Sequence, residues 1–527
     1  MARASRGSLL RRSFLGRAAA ATALGALPAC GDDTVDPVEP DPIFQHGVAS
    51  GDPLPDAIIL WTRVTTSEAS VEVGWTIATD PELADVVGEG SVSTDAERDY
   101  TVKIDVTGLS AGTTYYYRFE ALGESSPIGR TKTAKTGALD RLRFVFCSCA
   151  SYAHGYFHNY RRIAARSDLD AVLHLGDYIY EYGDPDDLGN GYGDVRPYDP
   201  PHEIVTLDDY RRRYAHYRKD VDLQEVHRQH PFITVWDDHE FTNDAYPGGA
   251  ENHQPDTEGD FATRKAIAAR VYSEWMPVRL EDPTKIWRSF RYGDLVDLFM
   301  LDTRMWGRDE QADGKNDPAV SDETRTLLGF DQEEWLAEGL RASTARWKIL
   351  GQQVMIAPLP LSGLVNTDQW DGYVAARERL YALITDPVAP VSDVVVLTGD
   401  IHTSWGNDLV PAGGSYDPVT RAGSIGVEFV TPGITSPGLG EFFVELLNAV
   451  LEENPYVRYA NIVNRGYCVL DVTPERVQCS WHLVSQVDLE EEPEDILGSV
   501  MAVYAGEGHL SEEAAPAAPP AGDPPAP

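Results

Sequence analysis

From Ile43 to Thr136 apolar and polar residues alternate in short runs. They are Ile58-Ile-Leu-Trp-Thr-Arg-Val64, Val71-Glu-Val-Gly-Trp-Thr-Ile77, Tyr100-Thr-Val-Lys-Ile-Asp-Val106 and Thr114-Tyr-Tyr-Tyr-Arg-Phe119. A period of two puts successive side chains on opposite faces of a strand, so each run predicts a strand with one face buried. Several such strands separated by turn residues predict an all-β sandwich over residues 43–136.

Beyond Thr136 the pattern changes to continuous apolar runs: Leu142-Arg-Phe-Val-Phe146, Asp170 to Leu175, Pro231 to Trp236, Leu295 to Leu301, Trp347 to Leu350 and Val391 to Leu397. Short unbroken runs of this kind suit strands buried on both faces. Helical segments lie between them. The clearest is Asp331-Gln-Glu-Glu-Trp-Leu-Ala-Glu-Gly-Leu340, amphipathic with an acidic first turn. Strands alternating with helices predict an α/β or layered α/β/β domain over residues 137–511. From Glu512 the chain is Ala, Pro and acid, and a disordered tail is expected over 512–527.

The candidate chemistry sits where the apolar runs stop. Phe144-Val-Phe-Cys-Ser-Cys149 ends one strand and His174-Leu-Gly-Asp177 the next. Thr234-Val-Trp-Asp-Asp-His-Glu240 ends a third, with Asn243 shortly after, and Leu397-Thr-Gly-Asp-Ile-His402 ends the last. In open α/β sheets ligands bind at the carboxyl ends of the strands. A single Asp there is as well explained by capping of the next element. Four such ends, with Gly-Asp twice and Asp-x-His once, point to a polynuclear metal site, against the alternative of a buried ion-pair network. Asp177 has two oxygens with which to bridge two ions. Cys149 and Tyr180 offer a thiolate and a phenolate, which suit a trivalent ion such as ferric iron, Fe(3+). Asp238, Asn243 and Asp400 offer hard oxygens suited to Ca(2+), and His402 suits softer metals. Zinc or manganese fits the same donors.

Charge restricts the partners. There are 44 Lys and Arg against 84 Asp and Glu, a net −40. Such a surface repels nucleic acid, so no DNA or RNA partner is expected, and an anionic substrate must depend on a local positive centre. At the N-terminus Arg11-Arg12-Ser-Phe-Leu15 precedes the small apolar run Ala18 to Leu27. This is the pattern of a twin-arginine export signal over residues 1–30, and it predicts a periplasmic, cell-surface or extracellular protein. Leu27-Pro-Ala-Cys30 leaves lipid attachment at Cys30 open, and the acidic, Pro-rich stretch 31–42 reads as a tether. Cys468 and Cys479 flank a turn at Thr473 to Arg476; they either pair across a hairpin or stand as separate core thiols.

Phe44-Gln-His-Gly-Val-Ala-Ser-Gly-Asp-Pro53, Ile59-Leu-Trp-Thr-Arg63, Ser148-Cys-Ala-Ser-Tyr152, His174-Leu-Gly-Asp-Tyr-Ile-Tyr-Glu181, Trp236-Asp-Asp-His-Glu240, Leu301-Asp-Thr-Arg304 and Gly399-Asp-Ile-His402 together resemble the PhoD-like alkaline phosphatases. These belong to the calcineurin-like metallophosphoesterases. The resemblance runs from about Phe44 to about Trp481. It implies a β-sandwich of the PhoD N-terminal type followed by a four-layer α/β/β/α catalytic domain with an iron–calcium centre. The segment Gly108 to Tyr117 is similar to the tyrosine corner of fibronectin type III domains.

Carried over residue by residue, the resemblance makes Cys149, rather than Cys147, the thiolate ligand. Asp177 becomes the bridging carboxylate and Tyr180 the phenolate on iron. Asn243 and Asp400 become calcium ligands, and His402 completes the centre. Asp238 stands where related enzymes carry the Asn of an Asn-His-Glu motif, so it and Asn243 compete for one role. His239 matches the histidine that contacts phosphate. Arg304 is either a phosphate contact or a salt bridge to one of the many acids. Ala150-Ser151 departs from the family pattern and bears on substrate fit. The implied activity is hydrolysis of phosphate mono- or diesters by a metal-activated water, with a phospholipase D-type activity as the alternative. From another class, the rival is a non-catalytic surface protein stiffened by metals. A monomer is expected.

Overall fold

Three β-sheets organise the computed structural model, which describes residues 42–183, 195–360, 365–440 and 443–527. The twin-arginine segment, Cys30 and nearly all of the acidic tether lie outside the described residues. The largest sheet has ten strands. At its centre Leu142–Cys147, Ala171–His174, Pro231–Thr234 and Val48–Gly51 run parallel. On one side it continues antiparallel through Arg465–Val472, Arg476–Val484, Asp495–Tyr504 and Leu510–Glu512, and on the other through Ala57–Arg63 and Thr101–Thr107.

A second sheet of seven strands carries Val296–Met300, Trp347–Gly351, Val394–Thr398 and Val427–Val430 in parallel, with antiparallel neighbours at both edges. The continuous apolar runs are explained by burial on both faces. Ile349, Val395 and Leu397 share a core with Phe146 and Leu173 of the first sheet. Their neighbours Leu350, Val394 and Val396 pack with Leu336, Leu340 and Leu380 of the helices Phe330–Ala342 and Val374–Ile384. The helices His158–Ala164, Leu207–Tyr217, Val221–Gln229 and Phe261–Trp275 contribute to the core of the first sheet. Helix, sheet, sheet, helix is the four-layer order expected.

The sandwich forms, but it is not a separate unit. Its own sheet is Val86–Asp95, Ser70–Ala78, Thr114–Ala121, Glu124–Ser125 and Gly129–Lys132. The facing sheet is the end of the ten-stranded one: Val48, Ile58, Leu60, Val102 and Val106 meet Val71, Val73, Ile77, Tyr117 and Phe119 in one core. Ser50 and Gly51 pair in parallel with Pro231 and Phe232 of the catalytic region, so residues 42–527 hold together as one compact body. The tyrosine corner is present: the Ser110 N–H donates to the Tyr115 hydroxyl at 2.9 Å.

The expected disorder of 512–527 is corrected. Arg141 and Arg143 donate to the carbonyls of Ala518 and Ala517, Asp523 pairs with Lys132 at 3.1 Å, and Ala526 and the Gln229 amide bond each other in both directions. Composition counts only apolar burial. A proline-rich chain is already extended and loses little entropy on docking, and here its carbonyls meet cationic side chains. Cys468 lies opposite Trp481 and Cys479 opposite Leu470, a diagonal pair, and both are free buried thiols.

Candidate metal centre

Each parallel strand that carries chemistry ends in a tight loop, and four residues of these loops sit in the left-handed region. They are Cys149 (φ 61°), Asp177 (φ 55°), Asp400 (φ 61°) and His402 (φ 57°). Such backbone costs about 1–3 kcal/mol per residue and persists only where the surroundings enforce it, commonly at functional sites. The glycine of each Gly-Asp pair explains the enforcement. A Cβ on Gly176 would lie 2.4 Å from Asp237 Cβ, and one on Gly399 would lie 2.7 Å from Ser148 Oγ. Each glycine is thus the point where one ligand loop rests on another. Hydrogen bonds close the gaps: Cys149 N–H to Gly176 O at 3.1 Å and Ala150 N–H to Asp177 O at 2.9 Å. Glu240 braces them from below, accepting the N–H groups of Asp177 (3.0 Å), Tyr178 (2.7 Å) and Asp237 (2.8 Å).

These loops bring three overlapping donor groups together. Cys149, Asp177 and His402 place ligand atoms within 4.8 Å of one another; so do Asp177, Asp238 and His239, and so do Asp237, Asp238 and Asp400. The Tyr180 hydroxyl joins the first group, 2.9 Å from Asp177 Oδ2 and 3.1 Å from His402 Nε2. Asp177 belongs to two of the groups. One group offers thiol, phenol, imidazole and carboxylate, and another offers carboxylates alone.

The electrostatics fit cations. Buried Asp177 Oδ1 and Asp237 Oδ2 accept no hydrogen bond from the described residues. Burial, followed by the charges of neighbouring carboxylates, raises Asp237 well above the ordinary range. Burial also raises Asp238, and with it Asp400 to about 6, although Arg304 opposes the shift in all three. Carboxylates raised by burial and by one another are those a divalent cation would stabilise. Burial and Asp177 push the Cys149 thiol well up; only a cation beside it makes the thiolate favourable.

His239 is held differently. Its Nδ1 lies 2.7 Å from Glu181 Oε2, and its ring stacks on Tyr180 at 4.1 Å between centroids. Glu181 is fully buried and also accepts from Asn243 N–H (2.7 Å), Asn252 Nδ2 (3.1 Å) and Thr242 Oγ1 (3.2 Å). Burial pushes Glu181 up, but the His239 charge and the hydrogen bonds from His239, Asn252 and Asn243 together outweigh it and hold it at about 2. Burial would lower His239, and Glu181, Asp177 and Asp238 carry it well above its ordinary value instead.

Of the two roles left open for Arg304, the structure shows the salt bridge. Arg304 is fully buried, with Nε on Asp237, Nη1 on Asp368 (2.7 Å) and Nη2 on Asp400 (2.7 Å), so each nitrogen already faces a carboxylate. Asn243 donates through its side-chain amide to Glu251 at 3.1 Å and through its backbone N–H to Glu181 at 2.7 Å, while Asp238 belongs to two of the donor groups. Sequence reasoning missed Asp237, Glu181 and Asp368. The first two adjoin residues already singled out, Asp238 and Tyr180. Asp368 sits in a loop between Trp347–Gly351 and Val374–Ile384 and ends no strand, so it carries no strand-end signal. Cys147, the last residue of its strand, lines the core, and Cys149, in the loop beyond it, belongs to the donor cluster.

Comparison with known proteins agrees with this geometry. The sequence pattern of the PhoD-like phosphatase family matches residues 144–481, and that of the family's N-terminal domain matches residues 31–135. Alkaline phosphatase D of Bacillus subtilis (strain 168) is 37% identical over 464 residues, which is 84% of this chain and 77% of the relative. A solved structure of PhoD superposes with a TM-score of 0.82 at 34% identity, covering 90% of this chain and 93% of that one. Both folded regions are therefore matched in sequence and in three dimensions, and the chain belongs to the PhoD-like phosphatase family.

Proposed function

We propose that this chain is an exported, metal-dependent phosphoesterase of the alkaline phosphatase type, carrying ferric iron and calcium. The observation that carries the reading is Asp177, buried where a thiol–phenol–imidazole group meets a carboxylate group, with one oxygen free of hydrogen bonds from the described residues. Cys149, Tyr180, His402 and Asp177 would hold the iron, and Asp177, Asp237, Asp238 and Asp400 the calcium. Bound there, the cations would polarise a phosphoryl group and lower the pKa of a water.

The chain's own residues do the rest. Glu181 accepts the proton side of His239 Nδ1, which leaves Nε2 to face the reacting group and give a proton to the departing alkoxide. Tyr180 stacks on the imidazole and fixes its plane. The acidic surface gives the phosphate ester no other attraction, so binding depends on this centre.

The test is turnover of a phosphate monoester, a phosphate diester and phosphatidylcholine by one preparation whose metals are measured by elemental analysis. Turnover that survives complete removal of metal refutes the reading. Export by the twin-arginine route is tested separately: with Arg11 and Arg12 both replaced by Lys, precursor should stay in the cytoplasm. Lipid on Cys30 is read by mass spectrometry of the exported protein.

A further inference from the structure

We propose that Tyr182 is a catalytic residue that donates a hydrogen bond from its phenol to a non-bridging oxygen of the bound phosphate ester. The proposal rests on the phosphoesterase reading and adds a substrate contact to it.

The residue lies five positions after Asp177, immediately past Glu181. Its ring lies 5.2 Å from the His239 ring and 6.4 Å from that of Tyr180, so it flanks the imidazole on a side that Tyr180 does not cover. The residue is partly buried and packs against the core of the first sheet, and its ring neighbour His239 belongs to the second donor group. The backbone is pinned: fully buried Arg213 donates to the carbonyls of both Tyr180 and Tyr182, the latter at 2.8 Å.

Three nearby tyrosines spend their hydroxyls within the protein. Tyr180 bonds Asp177, Tyr178 meets His227 at 2.9 Å, and Tyr210 bonds the Phe241 carbonyl. The Tyr182 hydroxyl bonds none of the described residues, and the residue is only partly exposed. A phenol held rigidly beside the reacting histidine, with a donor to spare, suits an anionic oxygen. His239 is assigned the leaving oxygen, which leaves the non-bridging oxygens to Tyr182.

Tyr182→Phe keeps the ring against His239 and removes only the donor. The expected result with 4-nitrophenyl phosphate and bis(4-nitrophenyl) phosphate is a fall in kcat/KM of about 10- to 100-fold, the scale of a hydrogen bond to a charged group. Inorganic phosphate should inhibit more weakly by a similar factor. Bound metal and melting temperature should match the parent, and phenyl phosphate should lose the same factor as the nitrophenyl ester, since the leaving oxygen is not involved. Unchanged kcat/KM in Tyr182→Phe overturns the proposal while leaving the phosphoesterase reading intact. A loss confined to poor leaving groups also overturns it, by moving the donor to the leaving oxygen. Absence of turnover in the metal-loaded parent overturns both.

Discussion

Gly176→Ala tests whether contact between loops sets the metal centre. The added Cβ would lie 2.4 Å from Asp237 Cβ and 2.5 Å from Asp237 N, both within the loop that also carries Asp238 and His239. An ordinary contact is about 3.5 Å, so the two loops must part by roughly 1 Å. The backbone at φ 109° adds strain, because an alanine rarely adopts that conformation. Overpacking costs about 1–3 kcal/mol and the unfavourable backbone a similar amount, about 2–6 kcal/mol together. A separation of about 1 Å between catalytic groups costs roughly 10²-fold in turnover. Asp177 moves with residue 176 and Asp238 with residue 237, so both activity and metal retention should suffer. Differential scanning fluorimetry, elemental analysis and turnover of 4-nitrophenyl phosphate measure the three effects. A Gly176→Ala protein with parental metal content and turnover within threefold would refute the reasoning, whatever its melting temperature. Gly399→Ala is the milder control, since its φ lies outside the strained region and the Cβ meets the Ser148 side chain at 2.7 and 2.9 Å rather than backbone.

Asp177→Asn should release both kinds of metal together, because the amide cannot bridge two cations, whereas His239→Ala should keep its metal and lose about 10²–10³ in turnover; loss of metal from His239→Ala would make that residue a ligand. Cys149→Ser should lose the iron and most activity while Cys147→Ser keeps both, since Cys147 lines the core; elemental analysis separates them. Tyr180→Phe should abolish a visible charge-transfer band if iron is bound, and a colourless, fully active parent counts against iron. Arg304→Met should lower the melting temperature, since removing one partner of a buried ion pair costs about 3–5 kcal/mol; a raised KM with unchanged melting would restore Arg304 to the phosphate.

The parallel strands were legible because burial on both faces makes them mostly apolar, and the runs that carry the site give way to Gly, Asp or Cys at their carboxyl ends. That made Cys149, Asp177, Asp238, Asp400 and His402 readable as strand-end residues. Asp237 was harder to read: one of two adjacent acids had to be chosen, and the fold uses both. Arg304 was ambiguous because its partners Asp237, Asp368 and Asp400 come from three separate loops that no local spacing relates. The strand Val86–Asp95 went unread since its residues are mostly exposed and glycine interrupts the alternation. Nor does alternation in Val48–Gly51 say which strand will lie beside it; the parallel partner is 181 residues on, at Pro231.

That pairing has a consequence for dissecting the molecule. The gap between the two matched family regions looks like a place to cut. Cutting there would strip Val48–Gly51 from Pro231–Thr234 and leave the latter, buried along its whole length in the intact protein, as a naked sheet edge next to the loop that bears Asp237 and His239. Unpaired edges of this kind recruit other chains. The catalytic region expressed alone should therefore aggregate, and the sandwich cannot be exchanged between relatives as a cassette unless strand Pro231–Thr234 travels with it.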